Sequence, residues 1–136
     1  MRPWRIWLSI AVCTLFFAMT SAAKLGETEA VAKSRAPQWK QEFDASLPLL
    51  VTKNGKVVQE CWEGPGKGWS EKEALQFALS LLPDEVDGAA PKRVQLEDSN
   101  HAFQVTAKYR IYFKSLQGVV YSLEVADASA FDDYRC

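Results

Sequence analysis

The chain has 136 residues, enough for one domain with a buried core and short for two. Apolar residues make up 48% of it and charged residues 24%, which excludes a wholly disordered or multi-span membrane protein. The formal net charge is −1. Because the chain lacks the basic excess that holds a phosphate backbone, nucleic acid is not an expected partner.

The first 23 residues have the parts of a secretory signal peptide. Arg2 and Arg5 form a positive start, Ile6–Met19 is an apolar run of 14 residues, and cleavage is expected after Ala22 or Ala23. The run is shorter than the roughly 20 residues of a spanning helix, although an uncleaved anchor is the alternative. We therefore predict a periplasmic or secreted protein without stable membrane insertion. Its mature form has 14 basic and 17 acidic residues.

Signal cleavage leaves two cysteines, Cys61 and Cys136, and removes Cys13. An exported protein with two cysteines is expected to be oxidised, and one pairing is possible. The closed loop has about 75 residues. The chain-entropy model gives such a loop roughly 4 kcal/mol of stabilisation. We predict one structural disulfide, since the C-x-x-C motif of a redox pair does not occur.

Residues 24–36 are polar and rich in small side chains, which favours a flexible leader or a weak helix. Pro37 suits the first turn of a helix. A spacing of four then relates the apolar residues of a short helix that ends before residue 48: Trp39, Phe43 and Leu47. Residues 37–136 are expected to form a single domain.

A hairpin is predicted around Asn54-Gly55, because the β-forming residues 49–51 and 57–58 flank this pair. The glycines and the proline of residues 63–69 indicate a loop. Ser70 and Glu73 then match a capping box at the start of a helix that Pro83 ends. The apolar stripe of this helix consists of Leu75, Ala78, Leu79 and Leu82.

From residue 92 onward apolar and polar residues alternate, which indicates strands. We expect a short strand from Lys92, a turn at residues 98–100, and one long strand over Phe103–Phe113 with a solvated face. A turn at residues 115–118 leads into a last strand. The order of elements predicts an α+β fold with an antiparallel sheet of about five strands and a helix packed on one face.

The residues of common catalytic and metal centres are largely missing from the sequence. His101 is the single histidine, and neither H-x-x-x-H nor G-x-S-x-G occurs. Lys67 does not stand in a Walker motif. We therefore predict no metal, no cofactor and no catalytic residue. A carboxylate pair, Glu60 and Glu63, flanks a possible cleft and leaves a hydrolase open.

Two surfaces are candidates for binding. Trp62 and Trp69 bracket the glycine-rich loop that carries Lys67, although indole rings at such positions also pack as core. The solvated face of the long strand is expected to present a basic and aromatic row that suits an acidic partner. This row consists of Lys108, Arg110, Tyr112 and Lys114.

These observations favour a small exported protein-binding domain without catalytic activity, such as an inhibitor, an immunity-type protein or an accessory subunit of an envelope assembly. Its expected partner is another protein. The alternatives are a secreted carboxylate-dependent hydrolase and a small-molecule carrier. The carrier would hold its ligand between the helix at 70–82 and the sheet, in a pocket lined by Phe77, Phe103, Tyr109 and Tyr121.

Overall fold

A computed structural model describes residues 24–95 and 101–131. The predicted signal peptide, the turn at 98–100 and Cys136 lie outside these residues. The described helices are α1 (Glu29–Phe43) and α2 (Glu71–Ser80). The strands are β1 (Leu49–Lys53), β2 (Lys56–Glu63), β3 (Trp69–Ser70), β4 (Lys92–Gln95), β5 (His101–Thr106), β6 (Tyr109–Leu116) and β7 (Val119–Asp127). Short 3-10 turns lie at Asp84–Val86 and Ala128–Ala130.

All the strands belong to one antiparallel sheet in the order β1-β2-β7-β6-β5-β4. The short strand β3 pairs with β7 beyond the end of β2. The predicted α+β class and antiparallel sheet are confirmed. The sheet has seven strands rather than about five, because β3 is added and the long strand expected over residues 103–113 is two strands.

The alternating pattern over residues 103–113 hides a reversal of the chain. Ala107 and Lys108 form a two-residue turn, since Thr106 lies opposite Tyr109. A bulge in β5 adds one residue before the turn. This extra residue keeps the odd-numbered apolar residues on the same face of both strands, so the alternation passes through the turn unbroken.

Helix α1 begins before the position that the sequence predicted. Thr28 is the N-cap residue, and its hydroxyl accepts a hydrogen bond from the Val31 backbone at 3.4 Å. The expected flexible leader is therefore helical from residue 29, and Pro37 lies inside the helix. Asp44 ends the helix in the left-handed conformation, which leaves Leu47 outside it. Small buried residues, Ala32 and Ala36, extend the packed stripe toward the helix start.

Two of the predicted local signals are confirmed. Asn54 and Gly55 both have positive φ angles, 54° and 76°, as the tight hairpin turn between β1 and β2 requires. Ser70 caps α2, because its Oγ accepts a hydrogen bond from the Glu73 backbone at 3.1 Å. The Ser70 hydroxyl also donates to Glu73 Oε1 at 3.0 Å.

The two helices cover one face of the sheet and enclose the main core there. The opposite face, called the second face below, carries a smaller buried cluster that includes Val58, Ala102 and Ala126. Ala130, in the C-terminal 3-10 turn, packs on this cluster. The sheet therefore has apolar packing on both faces. In the described part of the chain, neither helix has the length and apolarity needed to span a bilayer.

Candidate functional site

The two tryptophans that bracket the glycine-rich loop belong to the core. Trp62 is 1% exposed and Trp69 is 3% exposed. Both rings meet Phe77 of α2 edge-on, with centroid distances of 5.0 and 5.7 Å. The Trp69 indole Nε1 donates a hydrogen bond to the Phe43 carbonyl at 2.7 Å. Neither ring is therefore available as contact surface, although both candidates lie beside the loop as the sequence suggested.

Lys67 is exposed in the loop and lines a cavity of about 350 Å³ between the end of α1 and the start of α2. Its other charged lining residues are all acidic: Glu42, Asp44 and Glu73. The glycine-rich loop thus joins an acidic cavity rather than a cradle for an anion.

The predicted basic and aromatic row is not a solvated face. Lys108 is exposed in the turn between β5 and β6, but Tyr112 is only 7% exposed and belongs to the second-face cluster. The Arg110 Nε donates to Gln104 Oε1, and its guanidinium lies 4.4 Å from the centre of the Phe131 ring. The middle of the row, Arg110 and Tyr112, is covered because the chain after β7 folds back over the second face, whereas Lys114 is exposed.

A buried polar pair also lies on the second face. Gln59 and Glu124 are 1% and 4% exposed on neighbouring strands. The Gln59 amide Nε2 donates a hydrogen bond to Glu124 Oε1 at 2.7 Å. The sequence pattern singled out neither residue, because their burial depends on the pairing of β2 with β7.

An open groove lies at the β1 end of the second face. Leu47 and Leu49 are 59% and 57% exposed on its rim, which is high for side chains of this size. The cavity has a volume of about 510 Å³. We call it the β1 groove, and it is lined by Ser46, Leu47, Leu49, Cys61, Trp62, Glu63, Lys114 and Ser122.

The carboxylates that left a hydrolase open do not form a pair. Glu60 is 1% exposed on the helix-covered face, whereas Glu63 is exposed three residues further along the same strand. Side chains alternate between faces along a strand, so two residues an odd number apart point to opposite sides. Burial raises the pKa of Glu60 from 4.5 to about 8, an effect that the Trp62 indole opposes and the charge of Glu27 increases.

The residues expected to line a carrier's pocket are divided between core and surface. Phe77, Phe103 and Tyr109 are buried in the main core, whereas Tyr121 is 42% exposed. The Tyr109 hydroxyl donates to Glu85 Oε1 at 2.6 Å. Burial and this carboxylate raise the pKa of Tyr109 to about 12. The three buried aromatic side chains therefore pack in the main core.

Within residues 24–95 and 101–131, no group of three or more His, Cys, Asp or Glu side chains is arranged to hold a metal ion. Comparisons with protein-family models, with curated proteins and with solved structures found no match to this chain.

Proposed function

We propose that the mature chain is an exported, non-catalytic protein-binding domain that binds its partner at the β1 groove. The observation that carries this proposal is the pair of leucines, Leu47 and Leu49, each more than half exposed on the rim of a 510 Å³ groove. Exposed apolar side chains beside a concave surface are typical of protein interaction sites. An inhibitor, an immunity-type protein or an accessory subunit of an envelope assembly would each use such a surface.

The occupant that best suits this groove is an extended segment of a partner protein. Strand β1 is an edge of the sheet, and among the described strands it pairs with β2 only. An edge strand offers unpaired backbone N–H and C=O groups to which a further strand adds. The neighbouring leucines supply contacts for an apolar side chain of that segment.

The charges lining the groove specify the segment further. Lys114 is exposed and forms no ion pair among the described residues, while Glu63 lies two strands away on the near side of the groove. The proposed segment therefore carries an acidic side chain that reaches Lys114. Charge complementarity of this kind selects the partner and orients it more than it adds affinity.

Export and a Cys61–Cys136 disulfide are part of the same proposal. The signal-like residues 1–23 support export. Two features support the disulfide: Cys61 lies on the second face, and the C-terminal turn Ala128–Ala130 packs on that face. A covalent tie between them would stiffen the surface next to the groove.

Site-specific photocrosslinking tests the proposal. A benzoylphenylalanine replaces Leu49 in the exported protein, and the native envelope is irradiated. Leu116 is the matched control position, because it is 65% exposed and is not among the residues that line the groove. We expect one main adduct from position 49, which weakens in a Lys114→Glu background, and no such adduct from position 116.

The captured protein is then purified and added to the unlabelled chain. Strand addition predicts slower amide hydrogen exchange in residues 49–53 of the complex, because the outer backbone groups of β1 become hydrogen-bonded. The proposal is wrong if position 49 yields no adduct, if both positions yield the same adduct equally, or if exchange in β1 is unchanged.

A further inference from the structure

Glu60 is an unusual residue for its place in the fold. It lies in a row across the sheet with Leu50 on one side and Val125 on the other, facing the helices. Its Oε2 is buried without a hydrogen-bond partner among the described residues. A carboxyl group in such surroundings is far more stable protonated than ionised. An apolar residue would fill the same position without this cost.

The N-terminal segment, residues 24–28, brings a second carboxyl group to this position. Glu27 is the residue whose negative charge acts on Glu60, and its own Oε2 is also buried without a hydrogen-bond partner in the described part of the chain. The two groups therefore repel each other once both are ionised. Repulsion between buried carboxylates is relieved when one of them moves out into water.

Backbone hydrogen bonds, one ion pair and the buried Leu25 side chain hold this segment in place. Gly26 N donates to the Val57 carbonyl and Val57 N donates to the Glu27 carbonyl, both at 2.8 Å. Leu25 N donates to the Leu81 carbonyl at 2.9 Å, and the Lys24 ammonium pairs with Asp84. None of these contacts belongs to the pairing between sheet strands, so the segment can open without unfolding the sheet.

The remaining charged groups near Glu60 do not offset this repulsion. Its neighbours on β2 and β7, Trp62 and Val125, are uncharged, and Glu124 of β7 lies on the second face. On β6, Tyr109 faces the main core and bonds to Glu85. The helices carry only exposed or half-buried charges: Glu29, Lys33, Arg35, Lys40 and Glu42 on α1, and Glu71, Lys72 and Glu73 on α2.

We propose that Glu60 and Glu27 form a proton-dependent latch, which holds residues 24–28 against β2 while Glu60 is protonated and releases them when it ionises. The segment lies at the N-terminal end of the described domain, so the latch would control how that end is presented. It acts on a different part of the molecule from the β1 groove and does not depend on the proposed function.

The direction of the pH effect follows from linkage. The closed state holds the proton on Glu60 up to about pH 8, whereas a solvated glutamate loses it near pH 4.5. Between these values the open state binds fewer protons than the closed state. Opening therefore becomes more favourable as the pH rises, by up to about tenfold per pH unit, and levels off above pH 8.

Amide hydrogen exchange measured by mass spectrometry tests the latch in the mature protein. Rates for residues 25–27 are compared with those of β6 between pH 5.5 and 8.5, after correction for the pH dependence of intrinsic exchange. We expect residues 25–27 to exchange faster than β6 at every pH, and their protection to fall by up to about tenfold per pH unit toward pH 8. Equal protection of both regions at every pH would mean that residues 25–27 open only when the whole domain unfolds, and it would overturn the latch.

Three variants separate the contributions of Glu60 and Glu27 to the pH dependence of opening. In Glu60→Gln, protection of residues 25–27 should no longer depend on pH, since the amide imitates the protonated carboxyl group. Because the Glu27 charge raises the Glu60 pKa, its removal in Glu27→Gln lowers the pH at which Glu60 ionises.

In Glu27→Gln, the protection of residues 25–27 should therefore reach its minimum at a lower pH. The total loss of protection should also be smaller, because the repulsion that drives release is gone. Glu63→Gln, on the exposed side of the same strand, should show the same pH dependence of exchange in residues 25–27 as the parent protein. If Glu60→Gln fails to fold, the exchange protection of residues 25–27 and of β6 in the parent protein still tests whether the segment opens on its own. A pH-independent protection of residues 25–27 there would exclude the latch.

Discussion

At the scale of single residues, Glu60 makes a contribution to the free energy of unfolding that depends on pH. Its pKa is about 8 in the folded protein and near 4.5 when solvated, so the folded state binds the extra proton between these values. The stability that this group contributes is complete below pH 4.5 and is lost as the pH rises toward 8. Each unit of this shift corresponds to at most about 1.4 kcal/mol.

We therefore expect Glu60→Gln to unfold at a higher denaturant concentration than the parent protein at pH 9, with the difference shrinking as the pH falls to 5. Urea titrations followed by tryptophan fluorescence measure this difference. Glu63→Gln is the matched control, because its side chain is exposed on the same strand. A Glu60→Gln protein with the same pH profile as the parent would show that the buried carboxyl group does not titrate in this range.

At the scale of elements, the short strand β3 depends on one glycine. Gly68 has a φ of +71°, and a Cβ at this position would overlap the Val119 side chain and lie 2.9 Å from the Val120 carbonyl. Both contacts are on β7, where β3 pairs. Gly66, two residues earlier, has open space around the same position.

Gly68→Ala should therefore destabilise the domain by about 2 kcal/mol or more, while Gly66→Ala should change stability by no more than about 0.5 kcal/mol. Chemical denaturation of both variants gives the two values under the same conditions. Equal stabilities would mean that β3 and the loop before it move away from β7 at little cost.

Local signals predicted the elements better than periodicity did. Asn54-Gly55 and Ser70 act through the conformation and hydrogen bonds of their own neighbourhood, so the hairpin and the start of α2 were predictable. The start of α1 was missed because Ala32 and Ala36 are too small to mark an apolar stripe. The turn at Ala107-Lys108 was missed because the bulge in β5 keeps the alternation in phase.

The same limit applies to the candidate site. Alternation placed Arg110 and Tyr112 on the second face, but their burial depends on the C-terminal turn, which is distant in sequence. The exposure of Leu47 and Leu49 was also unpredictable, since a leucine beside a strand is usually buried. Which face of a sheet is covered depends on contacts between distant segments, and single-sequence patterns do not carry that information.

At the scale of the whole molecule, the second face requires the C-terminal part of the chain as its cover. Ala130 is 2% exposed against Val58 and Ala126, and Phe131 lies under the Arg110 guanidinium. Within residues 128–131, Ala130 is the fully buried side chain. A covalent tie from it to the sheet would keep the second face covered at little entropic cost in the folded state.

The predicted Cys61–Cys136 bond is such a tie, and mutation distinguishes it from two separate thiols. If the bond forms, Cys61→Ser and Cys136→Ser should each lower the free energy of unfolding, by up to roughly 4 kcal/mol. The double variant should then cost little more than the worse single variant, because both remove the same interaction. Intact-mass measurement before and after reduction should show the gain of two hydrogens. Separate thiols would instead give additive effects, with Cys136→Ser nearly neutral and no change of mass on reduction.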